Sequence, residues 1–230
     1  MDKSTRRIGR LFDDITPTYD LLNRFLSLSI DVGWRQRALD ELRIENDDRV
    51  LDVATGTGDL ALLARSRHAS VVGVDLSRGM LTEAVRKWGR AFPDRFPSVQ
   101  GDALHLPFAD ASFDHAMVAF GIRNMPDMGA FVDEAHRVLR DGGRLAVLEF
   151  SLPPYPVVRQ AYLLYLSRVL PFIGGLQSGD RAAYRYLSDS IRAFPSPASL
   201  EHLFREHRFT VLRSIALTLG ICHLYVLEKA

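Results

Sequence analysis

The chain has 230 residues, 47% of them hydrophobic and 25% charged, a composition typical of a globular protein with one large domain. Its 29 Lys and Arg against 28 Asp and Glu give a net charge of +1, so no overall charge favours nucleic acid. The single cysteine, Cys222, excludes an internal disulfide and a cysteine-cluster metal site. We therefore expect the protein to reside in the reducing cytoplasm. The most apolar stretch, residues 161–176, is interrupted by Arg168 and Pro171 and is too short to span a bilayer, so we expect at most peripheral membrane contact.

The first 48 residues predict a helical N-terminal segment. This segment either covers a ligand site or packs against the domain without a further role. Residues 49–150 then alternate between short apolar runs and helix-length segments, which predicts a Rossmann-like α/β fold with a doubly wound, mostly parallel sheet. The predicted strands are Val50–Val53, Val71–Val74, Ser98–Gln100, Asp114–Ala119 and Arg144–Phe150, and the helices between them are Leu60–Arg67, Met80–Arg90 and Gly129–Leu139.

A helical insertion is expected over residues 151–193, because prolines open this segment and apolar residues then recur at helical spacing. Tyr162 and Leu166 belong to this stripe, which either packs internally or contacts a ligand. Residues 194–230 predict a final helix and two strands, Phe209–Ala216 and Ile221–Leu227. The short Leu219-Gly220 link predicts that these two strands form an antiparallel pair.

A glycine turn follows the first strand, in the run Gly56-Thr57-Gly58-Asp59-Leu60-Ala61. Glycine leaves the backbone open, so a ligand can lie against this turn and against the positive end of the next helix. The run matches a variant of the dinucleotide fingerprint, but glycine turns also join strands to helices in ligand-free folds.

Carboxylates end three of the predicted strands around this turn. Asp75 is placed to accept hydrogen bonds from ribose hydroxyls, or else to cap the helix that begins after Ser77. Asp102 could accept from an adenine amino group, with the Ala103 N–H facing a ring nitrogen. Asp52 could support the loop or meet a cationic group. These acidic groups would repel a pyrophosphate, so S-adenosylmethionine fits better than NAD, although an NAD-dependent oxidoreductase stays an alternative.

The sequence resembles the quinone-ring C-methyltransferases of menaquinone and ubiquinone biosynthesis, the UbiE/MenG type. The resemblance runs over nearly the whole chain. Its motifs are the residue runs 19–27, 51–59, 101–108, 120–124 and 137–151, of which Phe-Gly-Ile-Arg-Asn at 120–124 and Leu-Glu-Phe-Ser at 148–151 are the most particular.

The resemblance implies C-methylation of a polyprenyl quinol, with demethylmenaquinol to menaquinol and the ubiquinone-pathway counterpart both open. It implies cofactor contacts at Thr57, Asp75, Asp102 and Ala103. It also implies that Arg123 and Asn124 face the reacting ring, where Arg123 would stabilise a developing phenolate without acting as a base. A strand-end ion pair is the alternative for Arg123. No metal is required.

Three further residues are candidates for substrate binding: Tyr19 as a lid over the cofactor, and Tyr162 and Leu166 for the prenyl tail. The sequence also departs from the family pattern, with Asp31 and Tyr225 where histidine is usual. These departures keep open a methyltransferase of the same fold that acts on another lipophilic or small acceptor, and a scaffold protein without turnover is a third alternative. The oligomeric state is not predicted.

Overall fold

A computed structural model of the protein describes residues 8, 9, 11–14, 16, 30–169 and 181–230, with side chains from residue 185 onward in the last range. A seven-stranded sheet forms its centre. The strands, in chain order, are β1 Arg49–Val53, β2 Ser70–Asp75, β3 Ser98–Gln100, β4 Phe113–Ala119, β5 Leu139–Phe150, β6 Phe209–Leu217 and β7 Cys222–Lys229. They lie in the order β3-β2-β1-β4-β5-β7-β6. Strands β1 to β5 are parallel, while β7 runs antiparallel to both β5 and β6. The predicted doubly wound sheet with an antiparallel C-terminal pair is confirmed.

Helices cover both faces of the sheet. They are α1 Ile30–Leu42, α2 Asp59–Arg65, α3 Arg78–Ala91, α4 Met128–Val138, α5 Pro156–Leu164, α6 Arg181–Ala193 and α7 Pro197–Glu206. One face packs against α1, α2 and α3 in a core that contains Trp34, Leu60 and Trp88. The other face packs against α4 and α7 in a core that contains Phe131 and Phe204.

Side chains along the strands alternate between these two cores, as the pleat of a strand requires. In β1, Leu51 and Val53 belong to the α4–α7 core and Val50 to the α1–α3 core. Asp52, between Leu51 and Val53, therefore points toward the α1–α3 face and is buried. The same alternation places Tyr225 of β7 in the α4–α7 core, where it packs against Phe204.

Strand β5 begins five residues earlier than predicted. Phe113 of β4 pairs with Leu139 and His115 pairs with Arg144, so residues 140–143 of β5 bulge opposite a single residue of β4. Gly142 has a φ of 74°, which favours glycine and permits the bulge. The predicted helix ended at Leu139 and the predicted strand began at Arg144, but the observed strand includes residues 140–143.

The insertion begins with α5, continues as a short π-helical turn, Tyr165–Val169, and resumes with α6. Tyr162 and Leu166 are buried against Ile191 of α6 in a small separate apolar cluster. This position matches the packing alternative, and their predicted contact with a prenyl tail stays a prediction. Among the described helices, none combines the length and apolar character needed to cross a membrane.

Gly121 brings the end of β4 against the glycine turn that follows β1. A Cβ atom added there would lie 2.8 Å from the Ala54 Cβ and 3.1 Å from the Val118 Cγ2. Both contacts are closer than packed carbon atoms allow, so a side chain at this position would push the two loops apart.

We therefore expect Gly121→Ala to lower the free energy of unfolding by about 1–3 kcal/mol because of this overpacking. Gly89→Ala is the matched control. An added Cβ at Gly89, on the exposed side of α3, has no neighbour within 4 Å. It should raise the stability by about 0.5–1 kcal/mol through the higher helix propensity of alanine. Urea unfolding of both variants measures this, and an equally tolerated Gly121→Ala would contradict the close approach.

Candidate functional site

A cleft of about 730 Å³, counted out to its open mouth, lies at the carboxyl ends of β1, β2, β3 and β4. This edge includes the point where strand order reverses between β1 and β4, the usual ligand position in open α/β sheets. Its walls come from the loops that follow these strands and from the N-terminal residues. The lining includes Ala54, Gly56, Asp75, Ser77, Gly101, Asp102, Ala103, Phe120, Gly121 and Asn124.

Asp75 links β2 to the glycine turn. One of its carboxylate oxygens accepts a hydrogen bond from the Gly56 N–H at 2.8 Å, and the other accepts from the Ser77 N–H at 2.8 Å. Burial raises the pKa of Asp75, and these backbone N–H groups partly offset that rise. Each carboxylate oxygen can accept a second hydrogen bond, so Asp75 retains capacity for hydroxyl groups of a ligand. Asp75 thus supports the turn, and Ser77, through its own hydroxyl, caps α3.

The turn itself is open to a ligand. Gly56 has a φ of 56°, and a Cβ added to it would meet no atom within 4 Å. Gly58 has a φ of 81° and immediately precedes α2. The left-handed backbone explains the glycines, and the free space above Gly56 leaves room for a ligand against the chain.

Asp102 and Ala103 also line the cleft, and their predicted contact with an adenine stays a prediction. The Asp102 Oδ1 accepts a hydrogen bond from the Leu104 N–H at 3.0 Å, which fixes the turn after β3. His105 is exposed beyond this turn. The structure therefore brings four of the predicted cofactor residues, Gly56, Asp75, Asp102 and Ala103, to one cleft.

Thr57, the fifth predicted cofactor residue, is buried next to the cleft but is not among the residues that line it. Its hydroxyl lies 3.2 Å from the Lys87 Nζ of α3, and Lys87 also pairs with Asp59. Thr57 thus ties the glycine turn to α3, and its predicted cofactor contact stays a prediction.

The N-terminal residues cover part of the cleft. Ile8, Gly9 and Phe12 line it. The Asp13 carboxylate accepts hydrogen bonds from the Ser77 hydroxyl at 2.6 Å and from the Gly79 N–H at 2.9 Å. These bonds fix the segment at the start of α3, beside Asp75. The placement agrees with the covering alternative for this segment, while Tyr19 lies outside the described residues.

Asp52 is fully buried beneath the glycine turn, and its Oδ2 accepts a hydrogen bond of 2.6 Å from the Thr55 hydroxyl. Burial raises the pKa of Asp52 to about 7, although the hydrogen bond from Thr55 and the charge of Arg35 both lower it. A carboxyl group that changes charge near neutral pH thus lies directly under the cleft floor.

Arg123 and Asn124 follow β4 in a 3₁₀ turn, Ile122–Asn124. The Arg123 Nη1 donates to the Glu149 Oε1 at 2.7 Å and to the Phe120 carbonyl oxygen at 2.5 Å. Glu149 is completely buried, and it also accepts from the Phe150 N–H at 2.8 Å. Burial raises the pKa of Glu149, and the Arg123 charge opposes that rise. The ion pair that was the alternative for Arg123 is present, and Arg123 lies behind the cleft wall.

Asn124 lines the cleft directly. Its Oδ1 accepts a hydrogen bond of 3.0 Å from the Tyr186 hydroxyl of α6, and its Nδ2 lies 3.4 Å from the Phe120 carbonyl oxygen. Phe120 has a φ of 59°, a strained backbone conformation for a bulky residue. This conformation turns the chain sharply after β4, so the insertion and the sheet edge meet at Asn124.

Asp31, one of the departures from the family pattern, forms a buried ion pair with Arg35 one turn along α1. The Arg35 guanidinium lies over the Phe120 ring at 5.4 Å. Asp31 thus holds a cation against a residue that lines the cleft. Tyr225, the other departure, is a core residue that does not line the cleft, and its burial raises its pKa.

Three of these residues were not predicted to contribute to the site: Asp13, Arg35 and Glu149. Each acts through a partner distant in sequence, and the one usable signal was the Leu-Glu-Phe-Ser motif around Glu149. In the described part of the chain, no group of three or more His, Cys, Asp or Glu residues could hold a metal ion.

Several solved structures with similar folds are methyltransferases. One is an S-adenosylmethionine-dependent methyltransferase from Thermotoga maritima, with a TM-score of 0.68 and 21% identity, over 97% of this chain and 100% of that one. Another is phosphoethanolamine N-methyltransferase 2 from Haemonchus contortus in complex with S-adenosyl-L-methionine, with a TM-score of 0.64 and 15% identity, over 86% of this chain and 52% of that one. At these identities the similarity shows the fold, a class I methyltransferase fold.

Sequence relatives identify the family. A demethylmenaquinone methyltransferase from Thermus thermophilus is 47% identical over 95% of this chain and 100% of its own length. A ubiquinone/menaquinone biosynthesis C-methyltransferase from Syntrophotalea carbinolica is 48% identical over 94% of this chain and 91% of its own length. The model of the ubiE/COQ5 methyltransferase family matches residues 1–229. These similarities contradict the oxidoreductase alternative. The chain is a methyltransferase and belongs to the ubiE/COQ5 methyltransferase family.

Proposed function

We propose that this enzyme transfers a methyl group from S-adenosylmethionine to a ring carbon of a polyprenyl quinol, foremost demethylmenaquinol. The observation that carries the proposal is a shared sheet edge. An acidic, glycine-lined cleft and the Arg123–Asn124 turn lie side by side at the ends of β1 to β4. The names of the relatives, which specify demethylmenaquinone and ubiquinone/menaquinone biosynthesis, support the acceptor.

The cleft residues fit the methyl donor. Asp75 would accept hydrogen bonds from the ribose hydroxyls, and the space above Gly56 would admit the donor against the backbone. Asp102 and Ala103 would face the adenine. Asp52 would provide negative charge beneath a cationic ligand. S-adenosylmethionine supplies an electrophilic methyl group on a sulfonium when it is bound.

The acceptor carbon would become nucleophilic when a neighbouring ring hydroxyl gives its proton to water, which a quinol can do and a quinone cannot. This carbon would then take the methyl group, with S-adenosylhomocysteine as the leaving group, and would release its own proton to water so that the ring becomes aromatic again. Arg123 would stabilise the resulting oxyanion electrostatically, since a guanidinium hardly deprotonates and cannot serve as the base. Asn124 would orient the ring from the cleft wall, itself held by Tyr186. Placement of two reactants in one cleft accounts for much of the acceleration in such reactions.

A polyprenyl acceptor resides in a bilayer, and α5 offers an apolar surface to it. Tyr155, Val157 and Leu164 are exposed, with Val157 at 79%. Leu219, 61% exposed, lies in the turn that packs against Pro154 at the start of the insertion. Tyr162 and Leu166 form the apolar cluster beneath α5. We infer that this face contacts the membrane surface and that the cluster behind it receives the prenyl tail.

The mechanism predicts that Arg123→Lys lowers the turnover of reduced demethylmenaquinone about 10²-fold, because the ammonium keeps the charge but loses the guanidinium geometry. A methyl-transfer assay with the reduced and the oxidised quinone measures this. Arg137→Lys, which changes a guanidinium paired with Glu134, is the control and should retain activity. Full activity of Arg123→Lys, or a preference for the oxidised quinone, would refute the mechanism.

The membrane contact predicts that the double variant Val157→Ser/Leu164→Ser binds uncharged, quinone-containing vesicles more weakly than wild type. Its turnover of a short-chain water-soluble acceptor should stay unchanged, because neither residue lines the cleft. Val85→Ser, an exposed apolar residue of α3, is the control. Vesicle co-sedimentation provides the measurement, and equal binding of all three proteins would count against this surface.

The raised pKa of Asp52 predicts that the free energy of unfolding depends on pH. Its folded pKa of about 7 exceeds the ordinary 3.8, so its contribution to stability is present at acidic pH and is lost as pH rises through 7. Asp52→Asn removes the ionisation, and its stability advantage over wild type should widen by about 2–3 kcal/mol between pH 5 and pH 8. Urea unfolding at both pH values tests this, with exposed Asp110→Asn as control. A gap that does not change with pH would show that Asp52 ionises normally.

A further inference from the structure

Two guanidinium groups flank a pair of aromatic rings directly behind the cleft wall. The Phe120 and Phe150 rings pack with their centroids 4.6 Å apart. Arg35 lies over the Phe120 ring at 5.4 Å, and Arg123 lies over the Phe150 ring at 5.4 Å. Phe120 itself lines the cleft. Each cation therefore lies next to a residue that lines the cleft in which the methyl donor would bind: Arg35 contacts Phe120, and Arg123 precedes Asn124 in the chain.

Each cation has a buried carboxylate partner. Glu149, with 0% exposure, binds Arg123, and Asp31, with 4% exposure, binds Arg35. The two carboxylates come from different parts of the fold, since Asp31 begins α1 and Glu149 lies near the end of β5. Both guanidinium groups are as deeply buried, with 6% exposure for each arginine. A buried guanidinium–carboxylate pair thus lies on each side of the Phe120–Phe150 ring pair.

The charges of Arg35 and Arg123 affect the binding of a cationic ligand in the cleft. Water would screen an exposed charge, but charges buried in protein still interact over a distance of about 10 Å, because the effective dielectric constant is near 20 and not near 80. The Arg35 charge lowers the pKa of Asp52 beneath the cleft floor, so its field reaches this site. Without compensation, the two guanidinium groups would oppose the binding of a sulfonium.

We propose that Glu149 and Asp31 are charge-compensating residues, which allow Arg123 and Arg35 to stand behind the cleft without repelling the cationic methyl donor. This role rests on the proposed function, because it requires S-adenosylmethionine in the cleft. The Arg123 charge toward the donor side is thereby offset, while Arg123 stays next to Asn124 of the cleft wall. The role is distinct from simple structural support, which would affect charged and uncharged ligands alike.

The test compares two ligands that differ by one methyl group and one positive charge. S-adenosylmethionine carries a sulfonium, and S-adenosylhomocysteine carries a neutral thioether at the same position. Titration calorimetry gives the ratio of their dissociation constants without any turnover. We expect Glu149→Gln and Asp31→Asn each to shift this ratio against S-adenosylmethionine by about tenfold. The affinity for S-adenosylhomocysteine should change little.

The double variant Arg123→Gln/Glu149→Gln removes both charges and should return the ratio to the wild-type value. Glu228→Gln is the matched control. It removes a carboxylate from the Arg144–Glu228 pair, which joins β5 to β7 at the end of β5 far from Glu149. Its ratio should equal that of wild type. Circular dichroism checks folding, and if Glu149→Gln does not fold, Asp31→Asn decides the outcome.

The possible failures can be told apart. If wild type binds both ligands and the folded variants weaken both equally, or change neither, charge compensation is wrong and the proposed function stands. If wild type binds neither ligand, the proposed function fails and this inference fails with it. A shifted ratio that the double variant does not restore would also overturn the inference, because the effect would then not depend on the Arg123 charge.

Discussion

The burial of carboxylates at one edge of the sheet is the constraint on which the site depends. A buried ionised carboxylate costs free energy unless hydrogen bonds or opposite charges compensate it. Three carboxylates show this: the half-buried Asp75 accepts from backbone N–H groups, the buried Asp52 accepts from the Thr55 hydroxyl and has a raised pKa, and the buried Glu149 pairs with a guanidinium. These hydrogen bonds and this ion pair hold the glycine turn and the turn after β4 in place. Both turns form walls of the cleft, so the shape of the cleft depends on how its carboxylates are stabilised.

The fold was largely predictable because its signals are local. Apolar runs such as Val71–Val74 and the short Leu219-Gly220 link require no knowledge of distant residues, and both predictions match β2 and the β6–β7 pair. The position of Asp75 beside Gly56 was also predictable, since parallel strands end at one edge. The start of β5 was not, because the bulge at Gly142 continues a strand through residues that alone resemble a helix stop.

The side-chain pairs behind the cleft could not be predicted from the sequence. Arg123 pairs with Glu149 across 26 positions, and the choice between an ion pair and a ring contact depends on tertiary geometry. The structure shows the ion pair, so the proposed action of Arg123 on an acceptor would take place while Arg123 is paired with Glu149. Asp31 and Arg35 stand four positions apart on α1, a spacing that favours an ion pair, but the contact of Arg35 with the Phe120 ring depends on tertiary geometry. The glycine turn lines the cleft in which we propose that the methyl donor binds, and buried charge pairs lie behind the wall of this cleft.

Calorimetric titration of wild type and Asp75→Asn with S-adenosylmethionine and with NAD tests the central claim most directly. Loss of charge-assisted hydrogen bonds to the ribose should weaken S-adenosylmethionine binding by about 10- to 100-fold in Asp75→Asn, while NAD does not bind either protein. Asp110→Asn, at a side chain that is 79% exposed, should bind like wild type. Equal affinity of wild type and Asp75→Asn for S-adenosylmethionine, or tight binding of NAD, would contradict the account.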